Sequence, residues 1–251
     1  MGCVMLVSWC KYYVMKILFV LLSLIFAPQL LADDTKPNMD EPATRGKIMA
    51  QAIDEHELQK RGEEAAQLHY APNSQTPYTG WVKQMGENGQ VKGLHQLKDG
   101  KEHGLMTMWH ENGQKSGEGH YKDGKEHGLA TRWHENGQKG MEANFMNGTQ
   151  HGLWKIWYED GQKKVEVNFK DGDRHGLMTE WFQNGQKKQE ANFVDGEPHG
   201  LTTMWHENGQ KSLEGNYVKG KFHGLGTEWD EDGNVISQTN FENGKEVEEV
   251  K

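Results

Sequence analysis

Cysteine is nearly absent from this chain. Its 251 residues hold two, Cys3 and Cys10, and both precede the apolar run Ile17–Phe26. Exported domains that rely on disulfides need cysteines in the folded body, so a chain cut behind that run must hold its fold by strand pairing and burial. Neither cysteine follows the run, so neither is placed for lipid attachment behind it. The run itself is short of the roughly 20 apolar residues that a membrane span requires. Basic charge is outnumbered, with 28 lysines and arginines against 37 aspartates and glutamates. The formal charge is −9, and without Lys11 and Lys16, the only charged residues before Asp33, it becomes −11. An acidic body argues against a nucleic-acid footprint and disfavours contact with an anionic membrane surface.

The leader fits an export signal. Met15-Lys16 supplies a start and a basic n-region, Ile17–Phe26 the apolar core, and Ala27–Ala32 a cleavage region, which predicts a signal peptide over residues 1–32. Cleavage after Ala32 would release the protein to the periplasm or the extracellular space. Read past Lys16, Tyr12–Ala32 approaches the length of a span, so a retained anchor is the alternative. Residues 33–78 read as a linker, with Pro37 and Pro42, plus an N-terminal helix over about 44–69. Thr44 is its expected N-cap, and Ile48/Ala52 and Met49/Ile53 sit at helical spacing.

The rest of the chain is one sentence repeated. His-Gly recurs at residues 103, 127, 151, 175, 199 and 223, and tryptophan keeps the same 24-residue interval from Trp109 to Trp229. A fixed period of this length marks an array of one supersecondary unit. Asn-Gly or Asp-Gly occurs twice per period, as in Asn112-Gly113 and Asp123-Gly124, and these dipeptides suit hairpin turns that need positive φ. A three-residue loop Glu111-Asn112-Gly113 pairs Trp109 with Lys115. It places Leu105, Thr107 and Trp109 on one face with Gly117, Gly119 and Tyr121, apolar with apolar. The same rule at Lys122-Asp123-Gly124 pairs Tyr121 with Lys125. The expected fold is therefore all-β: a single elongated, rolled antiparallel meander of seven 24-residue β-hairpin units over residues 79–246. The N-terminal helix precedes it and a charged tail, 247–251, follows.

The stretch Tyr121-Lys122-Asp123-Gly124-Lys125-Glu126-His127-Gly128 and its copy Asn168–Leu177 resemble MORN repeats. The Trp-x-x-Asn-Gly-Gln half is similar to the bacterial MORN-variant type, often labelled YwqK-family antitoxin-like. The resemblance covers about residues 78–246, in seven copies. It implies a rolled hairpin array serving as a binding scaffold without catalytic residues, in a group also associated with lipid contact and assembly.

No catalytic, cofactor or metal site is expected from the residues. Successive members of the His-Gly series lie two strands, about 9.5 Å, apart, too far to share one ion at ~2 Å from each ligand. The series is expected to pack beside Leu and Trp and to hydrogen-bond backbone near the turn. His110, His134 and His206 fall on the opposite face without nearby cysteine. The glycines belong to turns, since no helix and no P-loop Lys-Ser/Thr follows them. A reacting site needs unique residues in mutual reach, whereas the polar residues here recur with the period.

The departures from the period carry more information. On the face opposite the constant Leu-Thr-Trp series, the fourth unit is apolar at all three positions: Trp154, Ile156 and Tyr158. Met178, Phe182, Met108 and Met204 fall nearby. An apolar, aromatic patch rimmed by charge suits a protein partner, unless the N-terminal helix or a second copy of the chain covers it. The sequence thus predicts an exported, non-catalytic scaffold that binds another protein through a sheet face, in an antitoxin- or immunity-like role. An envelope-associated array touching lipid or glycan is the alternative.

Overall fold

Strand pairing runs in chain order through nearly the whole of the structure, a computed structural model that describes residues 36–247. The expected signal peptide and the last four residues of the tail lie outside the described residues. Lys36–Asn38, which belong to a preceding unit, have no regular secondary structure, and the unit from Met39 onward is one compact body.

Helix α1 spans Pro42–Gln51, with proline in its first turn, where a missing N–H costs nothing. Thr44 does not cap it; Glu41 holds that position, and the Thr44 hydroxyl donates to the Glu41 carboxylate at 2.7 Å. The helix expected over 44–69 ends early. Ala52 turns extended, and the next strand, β1 (Ile53–Asp54), pairs in parallel with Val82 and Lys83, so sheet pairing overrides helical composition. Beyond it come short 3-10 turns and a small hairpin of β2 (Gln59–Arg61) and β3 (Leu68–Tyr70).

Seven hairpins follow: β4 (Gly80–Met85) with β5 (Val91–Lys98), then β6 (Lys101–Trp109) with β7 (Lys115–Lys122). After β8 (Lys125–Glu126), β9 (Gly128–Trp133) pairs with β10 (Lys139–Met146). After β11 (Thr149–Gln150), β12 (Gly152–Trp157) pairs with β13 (Lys163–Lys170). The last three are β14 (Asp173–Trp181) with β15 (Lys187–Val194), β16 (Glu197–Trp205) with β17 (Lys211–Val218), and β18 (Lys221–Trp229) with β19 (Val235–Glu242). The short β20 (Lys245–Val247) closes the series.

Two of the expected turn consequences are corrected. The first turn is the three-residue loop: the His110 amide donates to the Gln114 carbonyl at 2.8 Å, and Trp109 faces Lys115. Met108, however, faces Gly117, so Ser116 is an extra residue on β7, a one-residue bulge. The bulge reverses the face assignment beyond it. Thr107 pairs with Glu118 and Leu105 with His120, while Met106 and Met108 share their face with Gly119 and Gly117. The second turn is the two-residue loop Asp123-Gly124, with φ of 52° and 82°, and Tyr121 pairs with Glu126 rather than Lys125. Aspartate tolerates the left-handed region well enough to make the double-positive turn.

The His-Gly pair then finds its reason. Leu97 faces Glu102 and His95 faces Met106, so Gln96 alone opposes His103, Gly104 and Leu105. Gly104, at φ 83°, carries the chain round this wide bulge, and the Gln96 side-chain oxygen accepts the Leu105 amide at 3.0 Å. Two extra residues preserve the facing order, so two consistent faces run through the array: a tryptophan face (Leu, Thr, Trp with Asn, Glu, Lys) and a small-residue face.

The small-residue face is packed. Val167, Met178, Ala191 and Phe193 form a buried cluster, with Trp154, Val165 and Phe169 against it. Near the last hairpins, Gly215 and Gly226 make room for the Phe222 ring; a Cβ on Gly215 would come within 2.1 Å of it. The hairpins are also stitched at both turn rows. At one, His110 Nε2 lies 2.9 Å from the Trp133 carbonyl and the Asn112 amide donates to the Glu135 carbonyl at 2.8 Å. His134, Tyr158 and His206 repeat the first contact on Trp157, Trp181 and Trp229. At the other, the Gly124 N–H donates to the Glu102 carbonyl at 2.8 Å, and later glycines do likewise.

Candidate functional site

The tryptophan face is built from a three-part contact that repeats. Lys163 stands over the Trp181 ring at 5.5 Å and pairs with Glu166 at 2.9 Å. Lys187 and Lys211 stand likewise over Trp205 and Trp229 and pair with Glu190 and Glu214. Each lysine neutralises a glutamate that the sheet places beside a threonine, as in Glu190 opposite Thr203. Charge on this face is therefore largely satisfied within it.

The first station is different because the sequence is different. One period before Lys115 and Glu118 stand Val91 and Leu94. Without the ion pair the site is apolar, and α1 fills it. Met39, Ala52, Leu94, Leu105 and Trp109 form a buried cluster, joined by Ile48, Met49, Trp81 and Val91. Arg45 of the helix stands over Trp109 at 5.6 Å, the place a lysine takes elsewhere, and Asp40 pairs with Lys115 at 2.9 Å. Burial alone would lower the Lys115 pKa, but its bonds to Glu118 and Asp40 outweigh that and raise it.

Past the helix, the same leucine position is uncovered except at Leu153, which is partly buried. Leu105 is 2% exposed, whereas Leu129, Leu177, Leu201 and Leu225 are 46–49% exposed. Between the last three, Val194 and Val218 add 45% each. Leu177 pairs with Asn192 and Leu201 with Asn216, and the valines lie two residues beyond those asparagines on the same side of their strands. Five successive strands, β14 to β18, thus each present one half-exposed aliphatic side chain on one face. Lys170 interrupts the row at β13. An exposed aliphatic row rimmed by polar residues is the kind of surface that marks an interaction site. This row was missed in the sequence because the leucines were assigned to the packed face.

The residues expected to form a partner patch do share the small-residue face, but much of it is core. Met178 is buried at 8% exposure, and the Trp154 ring lies between Phe145 at 5.5 Å and Phe169 at 4.9 Å. Ile156 pairs with Met141 and Val165, and Tyr158 spends its hydroxyl on the Trp181 carbonyl. Phe182 and Met204 are partly buried, and Met108 is 38% exposed. The two histidine series also exchange their expected parts. His110, His134 and His206 make the backbone hydrogen bonds, while the Nδ1 atoms of His103, His151 and His175 are buried without a hydrogen-bond partner, those of His103 and His151 facing the Asp123 and Asp171 carboxylates at 3.5 and 3.9 Å. Among the described residues no three His, Cys, Asp or Glu side chains stand close enough to hold a metal ion.

The recurring hairpins, with their double turn and His-Gly bulge, can be set beside known families. Five of them resemble the MORN repeat variant. The family model matches residues 102–123, 150–171, 174–195, 198–219 and 222–243, all in one 24-residue phase, with the segment between the first two unmatched. MORN repeats are a non-enzymatic family associated with binding and scaffolding. No curated protein matches the chain.

Proposed function

We propose that this protein is a non-catalytic scaffold that holds another protein against the face of its sheet, outside the cytoplasm. The observation that carries the reading is the aliphatic row. The chain covers its first leucine with its own helix and leaves the same position open in the later hairpins. The periodic polar residues are already used, in turn-to-turn hydrogen bonds and in Lys–Glu–Trp contacts, which leaves little for acid–base chemistry. An antitoxin- or immunity-like role is one form of such binding, with an exported toxin as the partner. Met108 on the opposite face is available as an accessory contact.

The test is capture with the full chain as bait, beside a variant carrying Leu177→Ser, Leu201→Ser and Leu225→Ser. The reading expects a stoichiometric protein recovered with the wild type and lost with the variant, while urea unfolding of the two coincides within about 1 kcal/mol. Equal recovery by both would remove the face from the account. Pelleting with liposomes, with no protein recovered, would move the reading to lipid contact.

A further inference from the structure

Helix α1 shows how this face accepts a segment. Asp40, just before it, bonds Lys115 on β7; Arg45 within it stands over Trp109 on β6; and Ile53, just after it, pairs with Val82 on β4. The helix therefore runs across the strands, along the direction in which the hairpins repeat. Its Ile48 and Met49, with Met39 before it and Ala52 just after it, cover the apolar positions of the first station. The row from Leu177 to Leu225 lies on the same face and extends in the same direction.

Spacing favours the same kind of occupant. Adjacent strands lie about 4.8 Å apart, so Leu177, Leu201 and Leu225 follow one another at about 9.6 Å. An α-helix advances about 10.5 Å in seven residues. A helix with an aliphatic residue at every seventh position drifts by only about 2 Å over the row, within the reach of a leucine side chain. The intervening Val194 and Val218 meet the positions three or four residues between. The row is about 19 Å long, which about 13 helical residues span. Beside it run exposed Asn192 and Asn216, and the nearby glutamates Glu190 and Glu214 are held by lysines. Exposed Glu197 and Lys221 stand opposite Val194 and Val218 and put one charge of each sign on the flank, which therefore suits a helix with polar side chains and little net charge.

We infer that the row Leu177–Val194–Leu201–Val218–Leu225 is the seat for an amphipathic α-helix of a partner protein, laid across the strands as α1 is. This rests on the protein-binding reading above and adds the form of the ligand. Docking an apolar helix face on a matching surface is a common recognition mode, read as anchors at i, i+3, i+4 and i+7.

The probe is a synthetic 21-residue peptide with leucine at both heptad core positions and glutamine, serine and alanine elsewhere. A peptide of the same composition in scrambled order is the control. Binding to the full chain is followed by fluorescence anisotropy, and peptide helicity by circular dichroism. The inference expects the heptad peptide to bind at least tenfold more tightly than the scrambled one and to gain helicity. It expects the Leu177→Ser/Leu201→Ser/Leu225→Ser chain to lose at least tenfold in affinity. Equal binding of both peptides, or unchanged binding by the variant, overturns it. A dimer that dissolves in the variant, or a crosslink from residues 1–35 of the chain to the row, overturns it too, by naming a different occupant. If a natural protein is captured through the row but bound as an extended strand, the helix inference fails while the scaffold reading stands.

Discussion

Leu105 and Leu201 hold the same place in the repeat, four hairpins apart, yet one is 2% exposed and the other 48%. Nothing in their own hairpins explains the contrast, since both precede a buried threonine and a tryptophan on the same face. The difference lies one period upstream. Val91 and Leu94 replace the lysine and glutamate that line every station from Lys115–Glu118 to Lys211–Glu214, and that exchange admits α1. A repeat surface is thus converted from open to closed by two residues, and the open form is the default of this chain.

The contrast can be broken most strongly by rewriting the closed station as an open one. Val91→Lys with Leu94→Glu should expel α1, because a fully buried leucine and its neighbour give way to charge. We expect a loss of about 3–5 kcal/mol, together with loss of hydrogen-exchange protection over residues 42–51. Next in size is a matched pair. Leu105→Ala should cost about 2–4 kcal/mol in urea unfolding and Leu201→Ala no more than about 0.5 kcal/mol, since only the first removes a filled volume. Equal costs would mean the two stations are packed alike.

A smaller effect should come from the turn row. Phe182 stands where His110, His134, Tyr158 and His206 reach the next hairpin's tryptophan carbonyl, and it has no donor to offer. Phe182→His should add the missing bond to Trp205 and raise stability by about 1 kcal/mol. The smallest effect is a pH dependence at the closed end. Burial lowers the His95 pKa below 6.5, against the opposing pull of Glu55 and Glu102. The unfolded chain therefore takes up this proton first, so the stability tied to neutral His95 is present above pH 6.5 and is lost as pH falls below it. His95→Gln should flatten the dependence of the urea midpoint on pH between pH 7 and pH 5.5, and a midpoint that falls as steeply as in the wild type would contradict this.

Much of this fold is legible in the residues. The 24-residue period, seven hairpins and the loop Glu111-Asn112-Gly113 follow from spacing and from glycine's access to positive φ. What eluded the sequence is the side to which each strand turns. Reading apolar against apolar set Leu105 beside Gly119, but Ser116 bulges out and sets it beside His120. A bulge leaves little trace in composition, because the extra residue varies between Ser116, Gly140 and Lys164. One missed residue exchanges the faces of the whole array, so the leucines passed for core and Trp154 and Met178 for surface. The helix was placed but made too long, since Ile53 pairs with Val82 across a separation that local propensity does not see.

Thiol accessibility tests the central claim most directly. In a chain with Cys3→Ser and Cys10→Ser, single cysteines at residues 105, 177, 201 and 225 can be labelled in the native state with a maleimide. The account predicts rapid labelling at 177, 201 and 225, protection at 105 by at least a hundredfold in rate, and loss of labelling at the three open sites when the captured partner or the heptad peptide is bound. Protection of residue 201 in the free chain to the level of residue 105, or labelling unchanged by the bound partner, would contradict it.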